Sequence, residues 1–142
     1  MKISFLTKKE KMNVKEAIAF TKNITKNINV FYGDTTDPFP ESIAKKYYDV
    51  IISYISPWIV PKMILDKTKK WNINFHPGPP EYPRIGCLNF AIYDSAKQFG
   101  VTAHIMEPKV DRGKIIGINR LQWLKKKQLN HYKNIFCSIF SL

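Results

Sequence analysis

The sequence predicts an α/β fold built on a right-handed, largely parallel sheet, and three observations carry that expectation. Short β-rich runs alternate along the chain with segments whose apolar residues recur at helical spacing. The run "DVIISYIS" at 49–56 is a near-continuous β-branched stretch, the pattern of a central strand covered on both faces. Glycines and prolines fall at the junctions between these runs rather than inside them.

Taken in order, "KISFL" at 2–6 is apolar and reads as the first strand. Val14, Ala17, Ile18 and Phe20 or Thr21 recur at helical spacing, so 13–24 is expected to be an amphipathic helix. "NINVFYG" at 27–33 is a second strand stopped by Gly33. The turn "DTTDPFP" places Asp37 and Pro38 ahead of an expected helix over "PESIAKKYY". After the strand at 49–56, ended by Pro57, "PKMILDKTKK" at 61–70 is a short helix with Pro61 in its first turn. "WNINF" is the fourth strand. Beyond a proline-rich loop, 87–100 sets Leu88, Ala91, Ile92, Ala96 and Phe99 on one helical stripe, with Gly100 as its C-terminal stop. "VTAHIME" alternates as a strand, and "KIIGI" at 114–118 is another after a "DRG" turn. Leu121, Leu124, Leu129, Tyr132, Phe136 and Ile139 return at near-helical spacing, predicting a closing helix docked on the sheet.

A length of 142 residues fits one domain with a core of its own, and 44% hydrophobic with 13% aromatic content excludes a disordered chain. The start carries no secretory apolar region, and no stretch is long enough to span a bilayer. Cys87 and Cys137 have no metal-ligand spacing, so they read as reduced thiols of a cytoplasmic protein. The formal charge of +12 permits an anionic partner, but the lysines are spread along the chain. The run "KKK" at 125–127 fits a solvated helix face better than a nucleic-acid site. Neither a GxGxxG nor a GxxxxGK[ST] phosphate signature is present.

The chemistry gathers around "NFHPGPPEYPRIG" at 74–86. Strand side chains alternate with period two, so Asn74 and His76 share one face. Pro77 ends the strand immediately after them, and the C-terminal ends of strands are where open α/β sheets bind ligands. A third polar residue, Asp111, sits in the "VDRGKII" turn, where Gly113 permits a tight reversal. An amide that supports an oxyanion, an imidazole that moves a proton and a carboxylate that orients it together suit acyl transfer to an amine. No Ser or Cys lies in the same loop as a nucleophile, and Cys87 reads as the first residue of the next helix. Each residue also has a plainer reading. A strand-end histidine is often structural, DxG turns are common, and His104 shares a face with Thr102 and Met106 as a satisfied structural histidine.

"INFHPGPPEYPRIG", a helix and then "GVTAHIMEPKVDRGKII" resemble the catalytic domain of folate-dependent formyltransferases, firmly over 49–118. That family includes glycinamide-ribonucleotide, methionyl-tRNA and amino-sugar N-formyltransferases. The resemblance implies a Rossmann-like, mostly parallel central sheet with helices on both faces and 10-formyltetrahydrofolate as formyl donor. It implies catalytic roles for Asn74 at the oxyanion, His76 at the proton and Asp111 behind His76. It also implies a folate pocket along 54–61, with Tyr54, Ser56, Pro57, Trp58, Ile59 and Val60 as cofactor-binding residues. Residues 1–142 would form a single catalytic domain, C-terminally truncated relative to members that continue into a further domain. The expected acceptor is a small-molecule primary amine, foremost a nucleotide-linked amino sugar. Methionyl-tRNA is the alternative substrate, and an inactive module that keeps the fold is the alternative of another class.

Overall fold

The computed structural model describes residues 1–9, 13–83 and 85–122. Six strands form one sheet: β1 (Ile3–Lys8), β2 (Ile28–Gly33), β3 (Val50–Tyr54), β4 (Trp71–His76), β5 (Gln98–Ile105) and β6 (Ile115–Gln122). Their spatial order is β2-β1-β3-β4-β5-β6. The first four run parallel, while β5 is antiparallel to both β4 and β6. The α-helices are α1 (Val14–Ile24), α2 (Lys62–Lys67) and α3 (Cys87–Tyr93), and a 3-10 turn spans Glu41–Ile43.

Strand periodicity divides the core in two. Ile3, Phe5, Val50, Ile52, Tyr54 and Val101 meet Val14, Ala17 and Ile18 of α1. Leu6 and Ile51, of opposite parity, meet Ile43, Tyr48 and Val60 together with Ile64 and Leu65 of α2. Helices therefore cover both sheet faces, which is why β3 is buried throughout and apolar apart from Ser53. Each large apolar side chain buried in this way stabilises the fold by about 1.5–3 kcal/mol. A smaller cluster of Cys87, Ala91 and Phe99, with Tyr82, Leu88 and Ala96 against it, ties α3 and the preceding loop to the start of β5.

Three expectations are corrected. The expected helix over 40–48 is only one 3-10 turn. Ile43 and Tyr48 must both enter the α2-side core, and five positions do not lie on one helical stripe. The Tyr48 hydroxyl is held there as a donor to Asn29 Oδ1 at 3.1 Å. Second, α3 ends at Tyr93 rather than near Gly100. Ser95 takes a left-handed φ of 52°, and Gln98, Phe99 and Gly100 join the ladder opposite Gln122, Leu121 and Arg120. Gly100 is thus no helix stop: a Cβ there would sit 2.2 Å from the Asn119 carbonyl oxygen, so glycine permits the strands' close approach. Third, Leu121 lies in β6 and packs against the α1-side core. The rest of the expected closing helix lies outside the described residues.

Candidate active site

The parity that sorts the core also sorts the polar residues. Phe75 packs with the α1-side core, so Asn72, Asn74 and His76 of β4 face the other way. Asn72 Nδ2 confirms the direction by donating to the Leu65 carbonyl of α2 at 3.0 Å. Across the antiparallel ladder, Asn74 lies opposite His104 and His76 opposite Thr102. The C-terminal end of β4 therefore carries a two-by-two array of Asn74, His76, Thr102 and His104 on one face.

Asn74 Nδ2 is 3.0 Å from His104 Nε2, and the other ring nitrogen, Nδ1, is 3.0 Å from the Ile105 carbonyl oxygen. Asp111 Oδ1 lies 3.4 Å from the same Nε2, with the His104 side chain only 7% exposed. The expectation that Asp111 orders His76 is corrected here: the histidine that Asp111 meets is His104. The register explains it. β5 and β6 slip by one residue between Ala103 and His104, so that Ile115 faces His104 and Ile116 is the extra residue of a bulge. The turn then folds back over β5 with Asp111 at a left-handed φ of 55°, a conformation Asp tolerates. Gly113 lets it settle, because a Cβ there would lie 1.7 Å from the Ile105 carbonyl oxygen.

His76 is held separately. Its Nε2 lies 3.3 Å from the Tyr82 carbonyl oxygen, an acceptor that places the proton on Nε2 and leaves Nδ1 with a lone pair. The loop that supplies this carbonyl is anchored at several points. Thr102 Oγ1 donates to the Gly78 carbonyl at 2.8 Å, and Cys87 Sγ donates to the Pro77 carbonyl at 3.1 Å. Tyr82 stacks on Phe99 with ring centroids 6.4 Å apart. Arg120 on β6 grips Glu81 with both terminal nitrogens, at 3.0 and 2.5 Å. This pair of hydrogen bonds from Arg120 holds the Glu81 carboxyl below the usual carboxylate range. A side chain at Gly78 would lie within 2.9 Å of both His76 Nε2 and the Tyr82 carbonyl, so glycine is required.

The segment expected to line a folate pocket divides. Tyr54 is fully buried, between Phe5 and Phe75, so its ring serves the core and not a ligand wall. Val60 is buried in the α2-side core. Trp58 is turned toward the end of β2, where Nε1 donates to the Asp37 carbonyl at 2.9 Å and the ring covers Gly33. Ser56 Oγ accepts from the Trp58 amide at 3.2 Å, and Ser56 and Pro57 are half-buried while Ile59 is 68% exposed. Between them and β3, Ile55 adopts a φ of 50°. For a β-branched residue that is a strained conformation, of order 1–3 kcal/mol, and such strain collects beside ligand sites. Ser56, Pro57 and Ile59 thus keep side-chain surface open to solvent.

Thr102, Gly78 and the Glu81–Arg120 clamp carry no functional signal in the sequence, where His104 reads as structural. The places of Thr102 and His104 follow from the β4–β5 register, and that of Arg120 from the β5–β6 register. Among the described residues, no group of three His, Cys, Asp or Glu side chains could hold a metal ion. No helix among them is long and apolar enough to cross a membrane.

Sheet order, helices on both faces and polar residues at the C-terminal end of a parallel strand define a Rossmann-like α/β domain. The chain belongs to the formyl transferase family, whose model matches residues 8–136. Solved structures agree on the fold. A sugar N-formyltransferase from a Shewanella species is 18% identical, with a TM-score of 0.71 over 100% of this chain and 66% of its own. The formyltransferase PseJ from Anoxybacillus kamchatkensis, in complex with UDP-4,6-dideoxy-4-formamido-L-AltNAc and tetrahydrofolate, is 20% identical, with a TM-score of 0.73 over 99% and 72%. Phosphoribosylglycinamide formyltransferase from Streptococcus pneumoniae is 16% identical, with a TM-score of 0.69 over 98% and 92%. This chain therefore spans just under two thirds of the Shewanella enzyme's length. No curated protein matches it significantly in sequence.

Proposed function

We propose that the chain transfers a formyl group from 10-formyltetrahydrofolate to the primary amine of a nucleotide-linked amino sugar, using Asn74 and His76 as catalytic residues. The observation that supports this most is the meeting of Asn74 and Asp111 at one nitrogen of His104, on the face that also carries His76 at the C-terminal end of β4. Family membership supports the donor, and the tetrahydrofolate bound to PseJ agrees with it. The sugar acceptor rests on the sugar N-formyltransferases among the similar structures.

When bound, the folate supplies the formyl group as an N-acyl donor. His76 presents Nδ1 as a base to the attacking amine, since Nε2–H is committed to the Tyr82 carbonyl. One Asn74 amide hydrogen points at His104 and the second is left to donate to the tetrahedral oxyanion. The anchored 77–83 loop keeps His76 from turning away, and Ser56, Pro57 and Ile59 offer the exposed edge on which a pterin would rest. Incubation with 10-formyltetrahydrofolate and a panel of amines (nucleotide-linked amino sugars, glycinamide ribonucleotide, methionyl-tRNA) tests the reading through tetrahydrofolate release. Release with an amino sugar alone supports it. Release only with methionyl-tRNA moves the acceptor assignment to the translation substrate.

A further inference from the structure

His104 has two ring nitrogens and three neighbours, and they cannot all be served in one state. The Ile105 carbonyl oxygen, 3.0 Å from Nδ1, only accepts, so Nδ1 carries a proton. In the neutral ring Nε2 then bears a lone pair, and the neighbour at normal hydrogen-bond distance is Asn74 Nδ2 at 3.0 Å, a donor. Asp111 Oδ1 stands further off, at 3.4 Å. We infer that His104 is a positioning residue: its neutral Nδ1–H tautomer fixes the amide of Asn74, so that one N–H is bound and the other faces the reacting carbonyl. This inference rests on the oxyanion role proposed for Asn74.

The arrangement gives Asp111 a defined part. A proton arriving on Nε2 finds the carboxylate as its acceptor, and Asn74 then loses the lone pair that held it. Protonated His104 therefore releases the amide, which becomes free to rotate. Other ionisable groups near the ring are few among the described residues. β4 brings His76, two positions from Asn74 on the same face; β6 brings the apolar Ile115; the turn brings Asp111, with Glu107, Lys109, Arg112 and Lys114 along the same exposed connection. Asp111 is the one charged group among them within ion-pair distance of the His104 ring. The Ile105 carbonyl is fixed in turn by the Gly113 approach, so the tautomer is specified by backbone and not by a mobile side chain.

Two measurements test the inference. Nitrogen-15 spectra of histidine-labelled protein at neutral pH should show His104 as the Nδ1–H tautomer, with an Asn74 side-chain proton bonded to Nε2. That reading needs no turnover, so it stands or falls separately from the proposed reaction. An Nε2–H tautomer, or an imidazolium at neutral pH, overturns the inference. In kinetics, His104→Leu should lower kcat by about a hundredfold with KM little changed, as Asn74→Ala should. His104→Gln, which keeps an acceptor near the Nε2 position, should recover most of that loss. The double variant Asn74→Ala/His104→Leu should be no slower than Asn74→Ala alone. Multiplying losses in the double variant, or a His104→Gln as slow as His104→Leu in a folded protein, would contradict it.

Discussion

Replacing Gly113 by Ala probes the turn on which the geometry around His104 depends. A Cβ at this position would lie 1.7 Å from the Ile105 carbonyl oxygen and 2.8 Å from its carbon. Carbon–oxygen contacts settle at about 3.3 Å, so the turn must withdraw by roughly 1.5 Å. Two consequences follow from the local bonds. The Ile105 amide donates to the Lys114 carbonyl at 2.9 Å, and withdrawal stretches that closing bond. Asp111, two residues away and now 3.4 Å from His104 Nε2, is carried away from the ring. Forced repacking of this kind costs about 1–3 kcal/mol. For a chain of this size that lowers the melting temperature by roughly 3–10 °C. Thermal melting by circular dichroism measures the stability part, and tetrahydrofolate release at matched folded fraction measures the activity part. A variant that melts within about a degree of the parent and turns over normally would show that the turn does not rest on Ile105, and the reasoning would fail.

Other outcomes follow from the same contacts. Thr102→Val keeps the shape but leaves the buried Gly78 carbonyl without its 2.8 Å donor, which should cost about 1–3 kcal/mol in denaturant melts and loosen the 77–83 loop. His76→Ala should lose on the order of a hundred- to ten-thousand-fold in transfer rate with the melt unchanged within a few degrees, since the ring is only half-buried. Glu81 is held below its ordinary pKa by Arg120, so its contribution is present above the usual glutamate range and lost as pH falls through the lowered folded value. Acid melting curves of Glu81→Gln should therefore converge with those of the parent at low pH. The gap at neutral pH should stay within about 1 kcal/mol, because Glu81 is 54% exposed and the pair is screened by solvent. Curves that stay parallel down to low pH would remove the ion pair from the account.

Much of the sheet was legible because its strands carry their evidence locally. β3 is apolar on both faces, and Gly33 and Pro57 mark junctions that need no tertiary knowledge. The Asn-x-His pair was legible for the same reason, since alternation alone puts Asn74 and His76 on one face. What failed depended on partners distant in sequence. The stripe from Leu88 to Phe99 fits a helix by spacing, yet Phe99 and Gly100 gain more from the ladder with β6. Gly100 looked like a helix stop because the sequence does not reveal that the Asn119 carbonyl approaches it. The partner of Asp111 was invisible for a related reason. Which histidine it meets is set by a one-residue bulge at Ile116 and by the opposition of Asn74 and His104, neither of which leaves a local mark. Tyr54 and Trp58 show the reverse case. Their place in the motif suggested a ligand wall, while the core and the Gly33 cleft claim their rings.

The most direct test of the central claim follows a labelled formyl carbon. The protein, 10-formyltetrahydrofolate labelled at the formyl group and a nucleotide-linked amino sugar are mixed, and the label is traced by mass spectrometry, with Asn74→Ala and His76→Ala alongside. The label should appear on the sugar nitrogen in step with tetrahydrofolate release, and each variant should slow both together by about a hundredfold or more. Label that stays on the folate with every amine offered, in a folded protein, would contradict it, as would transfer that both variants leave unchanged.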